Sequence, residues 1–230
     1  MQFLLTNDDG IDAPGISALA KAIRDLGPYQ VVAPFSPYSS CSHTITTHRP
    51  LTVAQRQEGW TAVEGSPADC VRLGIGHLAR GVDWVIAGIN AGGNLGSDVY
   101  HSGTVAAARE AVLQGTPGIA VSHYIARGRE IDWDRAAQWT TGVLTFLLAR
   151  PCPPRSYWSV NLPHPLPGAP QPEIVECPLD PSPLPADYRF ESDGKVAHYC
   201  GNYHERLRVA GSDVEVCFSG KIAVTQLRLD

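Results

Sequence analysis

Two adjacent carboxylates, Asp8 and Asp9, stand directly after a short apolar run at residues 2–6. A pair of hard oxygen ligands at a strand end suits Mg2+, Mn2+ or a similar divalent cation. The run Asn7-Asp8-Asp9-Gly10 is equally good turn chemistry, so by itself it leaves metal site and turn evenly matched. Three further stretches bear on the choice. Ser39-Ser40-Cys41-Ser42-His43-Thr44 offers hydroxyls to a metal or a phosphate, although Ser and Thr in loops more often bond the local backbone, and His43 reads as a structural hydrogen-bonding residue. Gly88-Ile89-Asn90-Ala91-Gly92-Gly93-Asn94-Leu95-Gly96 combines glycines, which permit close approach to the backbone, with two amide side chains. It has neither the G-x-G-x-x-G order of a dinucleotide site nor the Gly-Lys-Ser/Thr of a P-loop. Ser102-Gly103-Thr104 opens a helix, where free amides and two hydroxyls make a phosphate site, or where Ser102 is a plain N-cap.

The surrounding pattern says what must hold these residues. Residues 2–6 predict a buried strand, and Pro14 opens a helix with Ile16, Leu19, Ala20, Ile23 and Leu26 on one face until Gly27-Pro28. Residues 29–33 form a second strand, and the Ser-, Pro- and Thr-rich residues 34–47 a loop long enough to suggest a functional role. Residues 51–54 and 60–63 predict a hairpin, and Pro67 starts a helix carrying Val71, Leu73, Ile75 and Leu78. A third strand at 83–88, a helix from Ser102 to about Gln114 ended by Gly115, and a fourth strand at 118–122 complete the alternation. Beyond a helix over 131–150 with Trp139, Val143, Phe146 and Leu147 on its apolar side, the pattern weakens. A strand at 157–162, a proline-rich connection or arm at 163–186, a short helix between Ser212 and Gly220, and a last strand at 222–227 are expected. Such alternation implies a parallel sheet covered by helices, with ligands at the carboxyl ends of its strands.

The 230 residues, 43% hydrophobic and 18% charged, suffice for one substantial core. A net charge of -5 without any Lys/Arg block excludes a broad nucleic-acid surface, so a small anion would need local positive potential from a metal or a helix N-terminus. No leader pattern and no apolar run of roughly 18 residues occurs, which leads to the expectation of a cytoplasmic protein without a membrane partner. Cys41, Cys70, Cys152, Cys177, Cys200 and Cys217 show no C-x-x-C spacing, which argues against zinc ribbons and a disulfide framework.

The run Phe3-Leu4-Leu5-Thr6-Asn7-Asp8-Asp9-Gly10-Ile11-Asp12-Ala13-Pro14-Gly15-Ile16 closely resembles the opening of the SurE (survival protein E) family of 5'-nucleotidases and acid phosphatases. Gly65-Ser66-Pro67-Ala68-Asp69-Cys70-Val71, Gly88-Ile89-Asn90, Asn94-Leu95-Gly96 and Ser102-Gly103-Thr104-Val105 resemble its later signatures in the right order. The resemblance covers residues 1–123 well, thins through the proline-rich middle and is partial over 213–227. It implies an α/β, Rossmann-like three-layer fold with a parallel sheet. With it go a catalytic core over residues 1–150 and a C-terminal extension over 151–230 used in dimerisation, giving a homodimer or homotetramer. It also implies one divalent metal ion on Asp8, Asp9, Ser39 and Asn90, with Asp8 and Asp9 as the catalytic pair and the phosphate near Asn94, Ser102, Gly103 and Thr104. The implied reaction is hydrolysis of nucleoside 5'-monophosphates, sometimes extending to 3'-nucleotides or polyphosphate. One departure stands out: Phe35-Ser36-Pro37-Tyr38 occupies the place where many relatives carry an acidic and then basic residues, so specificity is open. Two rivals remain. A haloacid-dehalogenase-like phosphatase needs its two acidic residues one position apart, whereas here they are adjacent. A non-catalytic nucleotide- or metal-binding regulator fits the same fold.

Overall fold

A computed structural model describes residues 1–229 of the chain. Its first strand, β1 (Phe3–Thr6), is buried along its whole length. Period-2 alternation sends Phe3 and Leu5 into one apolar layer and Leu4 into the other, so both faces of the sheet must be covered. The first layer is built by α1 (Pro14–Ile23), through Ile16, Leu19 and Ile23, and by α4 (Trp133–Leu148), through Trp139, Val143 and Leu147. The second is built by α2 (Pro67–Leu73), through Cys70 and Val71, and by α3 (Gly103–Leu113), through Ala107 and Ala111.

Between these layers lies one nine-stranded sheet. Its strands are β1, β2 (Tyr29–Pro34), β3 (Val53–Gln57), β4 (Trp60–Val63), β5 (Trp84–Ala91), β6 (Gly118–His123), β7 (Ser156–Leu162), β8 (Ile174–Glu176) and β11 (Ile222–Arg228). They lie in the order β3-β4-β2-β1-β5-β6-β7-β11-β8. From β4 to β7 every neighbouring pair is parallel, which is the three-layer, Rossmann-like α/β arrangement expected. Antiparallel strand pairing within this sheet is confined to β3 on β4 and β11 on β7. The chain runs from β1 outward to β2 and later returns to β5 on the other side of β1. The carboxyl ends of β1 and β5 therefore flank a topological switch point, where open α/β sheets bind ligands.

Differences from the sequence pattern have local causes. The first helix stops at Ile23, whose carbonyl accepts the Leu26 and Gly27 amides, so Leu26 packs from a turn and not from the helix. The apolar series through Leu78 is not one α-helix: α2 ends at Leu73 and Gly74–Leu78 forms a π-type turn. Gly74 sits so close to the sheet that an added Cβ would lie 2.5 Å from Leu4. Three residues of the proline-rich stretch, β8, pair in parallel with β11. A separate exposed hairpin, β9 (Tyr188–Phe190) and β10 (Ala197–Tyr199), follows it, and α5 (Asp213–Phe218) leads into β11. Strands of three residues offer too little periodicity to be read in advance. Among the described residues no helix is long and apolar enough to cross a membrane, and all six cysteines are free.

Candidate active site

At the switch point, Asp8, Asp9, Ser39, Asn90, Asn94 and Ser102 line one cleft of about 440 Å³. The structure thus brings together six of the eight residues singled out in the sequence. Gly103 and Thr104 lie behind its wall. Asp8 is buried at the end of β1, with Oδ1 accepting the Thr104 hydroxyl at 2.5 Å and Oδ2 the Thr104 amide at 3.2 Å. Gly103 makes this approach of helix to carboxylate feasible. A Cβ there would stand 3.0 Å from Asp8 and 2.8 Å from the Cys41 sulfur, inside contact distance. Thr104 is fully buried and its hydroxyl is occupied by Asp8, so its side chain positions the carboxylate instead of facing a phosphate as expected.

Asn94 is fixed just as firmly. Its amide N–H donates to Asn161 at 2.8 Å, its carbonyl accepts from Asn161 at 3.0 Å, and its side-chain Nδ2 donates to Ser122 at 2.7 Å. What Asn94 leaves free is an acceptor oxygen, which suits a water or a hydroxyl better than a phosphoryl oxygen. Ser102 is the N-cap of α3. Its Oγ accepts the Val105 amide at 3.0 Å, which leaves the hydroxyl proton for a ligand. It brings a hydroxyl donor and the positive end of an eleven-residue helix to the cleft.

The other wall is looser. Asp9 is half-buried, and its Oδ2 accepts the Ala91 amide at 3.1 Å, leaving Oδ1 without a protein donor. Asn90 reaches the edge because the β5–β6 register shifts between Ala87 and Asn90. Its Nδ2 donates to the Gly92 carbonyl at 2.8 Å, so its Oδ1 is the atom left over. Ser39 and Ser40 are exposed on the loop after β2. That loop is tethered at a distance: Tyr38 N–H donates to the Asp8 carbonyl at 2.7 Å, and Ser42 Oγ to the Tyr100 carbonyl at 2.7 Å. His43 meets the buried carboxylate of Glu110 at 2.8 Å, the structural use its loop position suggested. Arg72 and Gln114 bind the same carboxylate. Burial alone would push Glu110 up, but hydrogen bonds from His43, Gln114 and Arg72 hold it below the usual carboxylate range.

Sequence reasoning missed Glu110, which lies mid-helix among alanines, and Asp98, whose Oδ2 takes the Leu95 amide, the Tyr203 hydroxyl and the buried Arg206 guanidinium at 2.9 Å. Asp98 lines the cleft, yet its partner lies 108 positions along the chain, so spacing gave no sign of the pair.

Burial raises the Asp8 pKa to about 6. The Thr104 hydroxyl bond pulls against that shift, and the neighbouring charge of Asp9 adds to it. A bound cation would relieve this cost. Among the described residues no three His, Cys, Asp or Glu side chains gather where they could hold a metal. The donors at hand are two carboxylates, a hydroxyl and an amide oxygen, a set that fits a hard cation retaining some of its water and not zinc.

Fold and site together define a three-layer α/β protein with an oxygen-donor cleft beside a helix N-terminus at the switch point. The sequence profile of the Survival protein SurE family matches residues 3–178. A relative from Nostoc sp. is 51% identical over 229 residues, with each chain covered completely. The 5'-nucleotidase SurE of Geobacter sulfurreducens is 40% identical, covering 100% of this chain and 88% of the relative. That of Myxococcus xanthus is 43% identical with the same coverage. The crystal structure of the SurE protein from Aquifex aeolicus superposes with a TM-score of 0.86 at 30% identity, over 100% of this chain and 94% of that one. The chain belongs to the SurE family.

Proposed function

We propose that this chain is a divalent-metal-dependent phosphomonoester hydrolase that releases phosphate from nucleoside 5'-monophosphates. The observation that carries the reading is the convergence of Asp8, Asp9, Ser39 and Asn90 on one cleft that Ser102, at the start of α3, also lines. The names of the SurE relatives support the nucleotide part. Asp8, Asp9, Ser39 Oγ and Asn90 Oδ1 would hold the cation, which when bound neutralises phosphoryl charge and acidifies water. Phosphoryl transfer needs alignment and charge stabilisation more than covalent help. The Ser102 hydroxyl orients the phosphoryl oxygens, and the helix end that Gly103 begins stabilises their charge. Asp9 Oδ1, without a protein donor, is the oxygen left to meet the cation or a water bound to it.

The test is phosphate release from a panel of nucleoside 5'-monophosphates, 3'-monophosphates and polyphosphate, with Mg2+ or Mn2+ and with chelator. Metal-dependent release from 5'-monophosphates is expected, and no release from any of them would overturn the reading in favour of a binding protein. We also assign residues 151–230 a role in joining copies, since Tyr188, Phe190 and Tyr199 expose 59%, 64% and 53% of their surface on one short hairpin. Light scattering should show a dimer or tetramer. Free thiols at all six cysteines accord with a cytoplasmic location.

A further inference from the structure

The Phe35-Ser36-Pro37-Tyr38 stretch, the clearest departure from the family pattern, contributes Phe35, Ser36 and Pro37 to a second pocket of about 510 Å³. This pocket is continuous with the metal-binding cleft, for Asp9 and Ala91 line both. Its walls differ in kind. Ala13, Pro14, Phe35, Pro37 and Trp133 give it apolar and aromatic surface, whereas the main cleft is bounded largely by carboxylates, hydroxyls and amides.

Each wall is fixed by the fold. The Phe35 amide donates to Val63 at 2.9 Å, and the Arg56 guanidinium lies 4.8 Å from the centre of its ring. Ser36 and Pro37 pack over Gly10, where an added Cβ would lie 3.3 Å from the Ser36 carbonyl carbon. Trp133, the first residue of α4, leans on Gly15, where an added Cβ would stand 3.2 Å from the indole edge. Both aromatic side chains are half-buried against the core yet keep surface turned to the pocket.

The geometry points to this pocket as the subsite for the nucleobase, with Phe35 and Trp133 as its stacking residues; the inference rests on the phosphohydrolase reading above. A phosphate at the Ser102 end of the cleft leaves the rest of the substrate to extend past Asp9, and the aromatic surface it meets there is that of Phe35 and Trp133. Stacking on such faces tolerates any planar base and stabilises it in proportion to the area covered.

The experiment compares kcat/KM for AMP with kcat/KM for ribose 5-phosphate, which keeps the phosphate and sugar and lacks the ring, in the Mn2+-loaded protein. The wild type is expected to favour AMP, and Phe35→Ala to lower the AMP to ribose 5-phosphate ratio about tenfold, the size of one lost stacking contact. Trp133→Ala should lower it similarly, which guards against a general folding defect in either variant, since such a defect cancels in the ratio. A wild type indifferent to the ring, or a ratio unchanged in both variants, overturns the subsite and leaves the hydrolase reading standing. If the wild type hydrolyses neither compound, the hydrolase reading fails, and adenosine alone decides the pocket. Saturable tryptophan quenching by adenosine that vanishes in Trp133→Phe supports it, and absence of saturable quenching overturns it.

Discussion

The two walls of the cleft are built on opposite principles. On the α3 side five residues are buried and paired before any ligand arrives, Asp8 with Thr104, and Asn94 with Ser122 and Asn161. On the β2 side Asp9, Asn90 and Ser39 each hold an oxygen without a partner, on backbone that is half-buried or exposed. The closed wall resembles a packed core, in which polar groups are tolerated because each finds a partner. The open wall has unpaired oxygens, which under the proposed function a metal and a substrate would meet. Asp8 and Ser102 reach the cleft from the fixed wall, and the looser wall adds the unpaired oxygens of Asp9, Asn90 and Ser39.

The two carboxylates give the sharpest test of that contrast. Asp8→Asn and Asp9→Asn should each lower metal-dependent phosphate release at least about a hundredfold, because even outer partners of metal ligands typically cost about 10–100-fold. Their stabilities should then diverge. The folded-state pKa of Asp8 is raised to about 6, so the native state holds its proton more tightly than the unfolded chain. Stability from this group is therefore present below about pH 4 and lost as pH climbs through about 6. Asn removes the buried charge while keeping an acceptor for the Thr104 amide, so Asp8→Asn without metal should gain about 1–2 kcal/mol at pH 7. That gain corresponds to a Tm higher by about 5 °C. Asp9→Asn, on the open wall, should leave the metal-free Tm near that of the wild type. A fall in Tm for Asp8→Asn in calorimetry would break the comparison.

The pH profile of the metal-free wild type checks the same point independently. Its urea midpoint should decline from pH 4 to 6.5, and this decline should be reduced in Asp8→Asn. A smaller effect is expected at Thr104. Thr104→Val keeps the shape and removes the hydroxyl from Asp8, and kcat should fall about tenfold. Inhibition by inorganic phosphate should stay unchanged, whereas a weakened phosphate Ki would return Thr104 to a phosphate-binding role. The smallest effect belongs to the tether of the open wall. His43→Ala leaves Glu110 its bonds to Arg72 and Gln114, so stability should drop by only about 1 kcal/mol. Mn2+ binding, followed by titration, should weaken severalfold because the Ser39 loop loses its anchor.

Much of the frame was legible in the residues. The apolar run before Asp8, the Pro14 start of α1, the Ser102 cap and the Gly115 stop are local signals, and each lies where the fold uses it. Motif order was also enough to gather Asp8, Asp9, Ser39, Asn90 and Ser102 at one edge, since loops after parallel strands share an edge by topology. Less of the C-terminal part was legible, because β8, β9 and β10 are three residues long and are held by their partners more than by any pattern of their own.

Sequence by itself therefore determined the layer architecture, the strand-end location of the site and the family resemblance, because these follow from periodicity and from residue types at short range. Tertiary structure alone decided which free atoms the site offers. Thr104 turned out to hold Asp8 across 96 positions, and Asn94 to give its donor nitrogen to Ser122. It also decided that Glu110 and His43 anchor the Ser39 loop, and that Phe35 and Trp133 meet in one pocket beside Asp9. The physical reason is the same in each case: a side chain's hydrogen-bond partner is set by what packing brings within about 3 Å, and chain order carries no record of that distance.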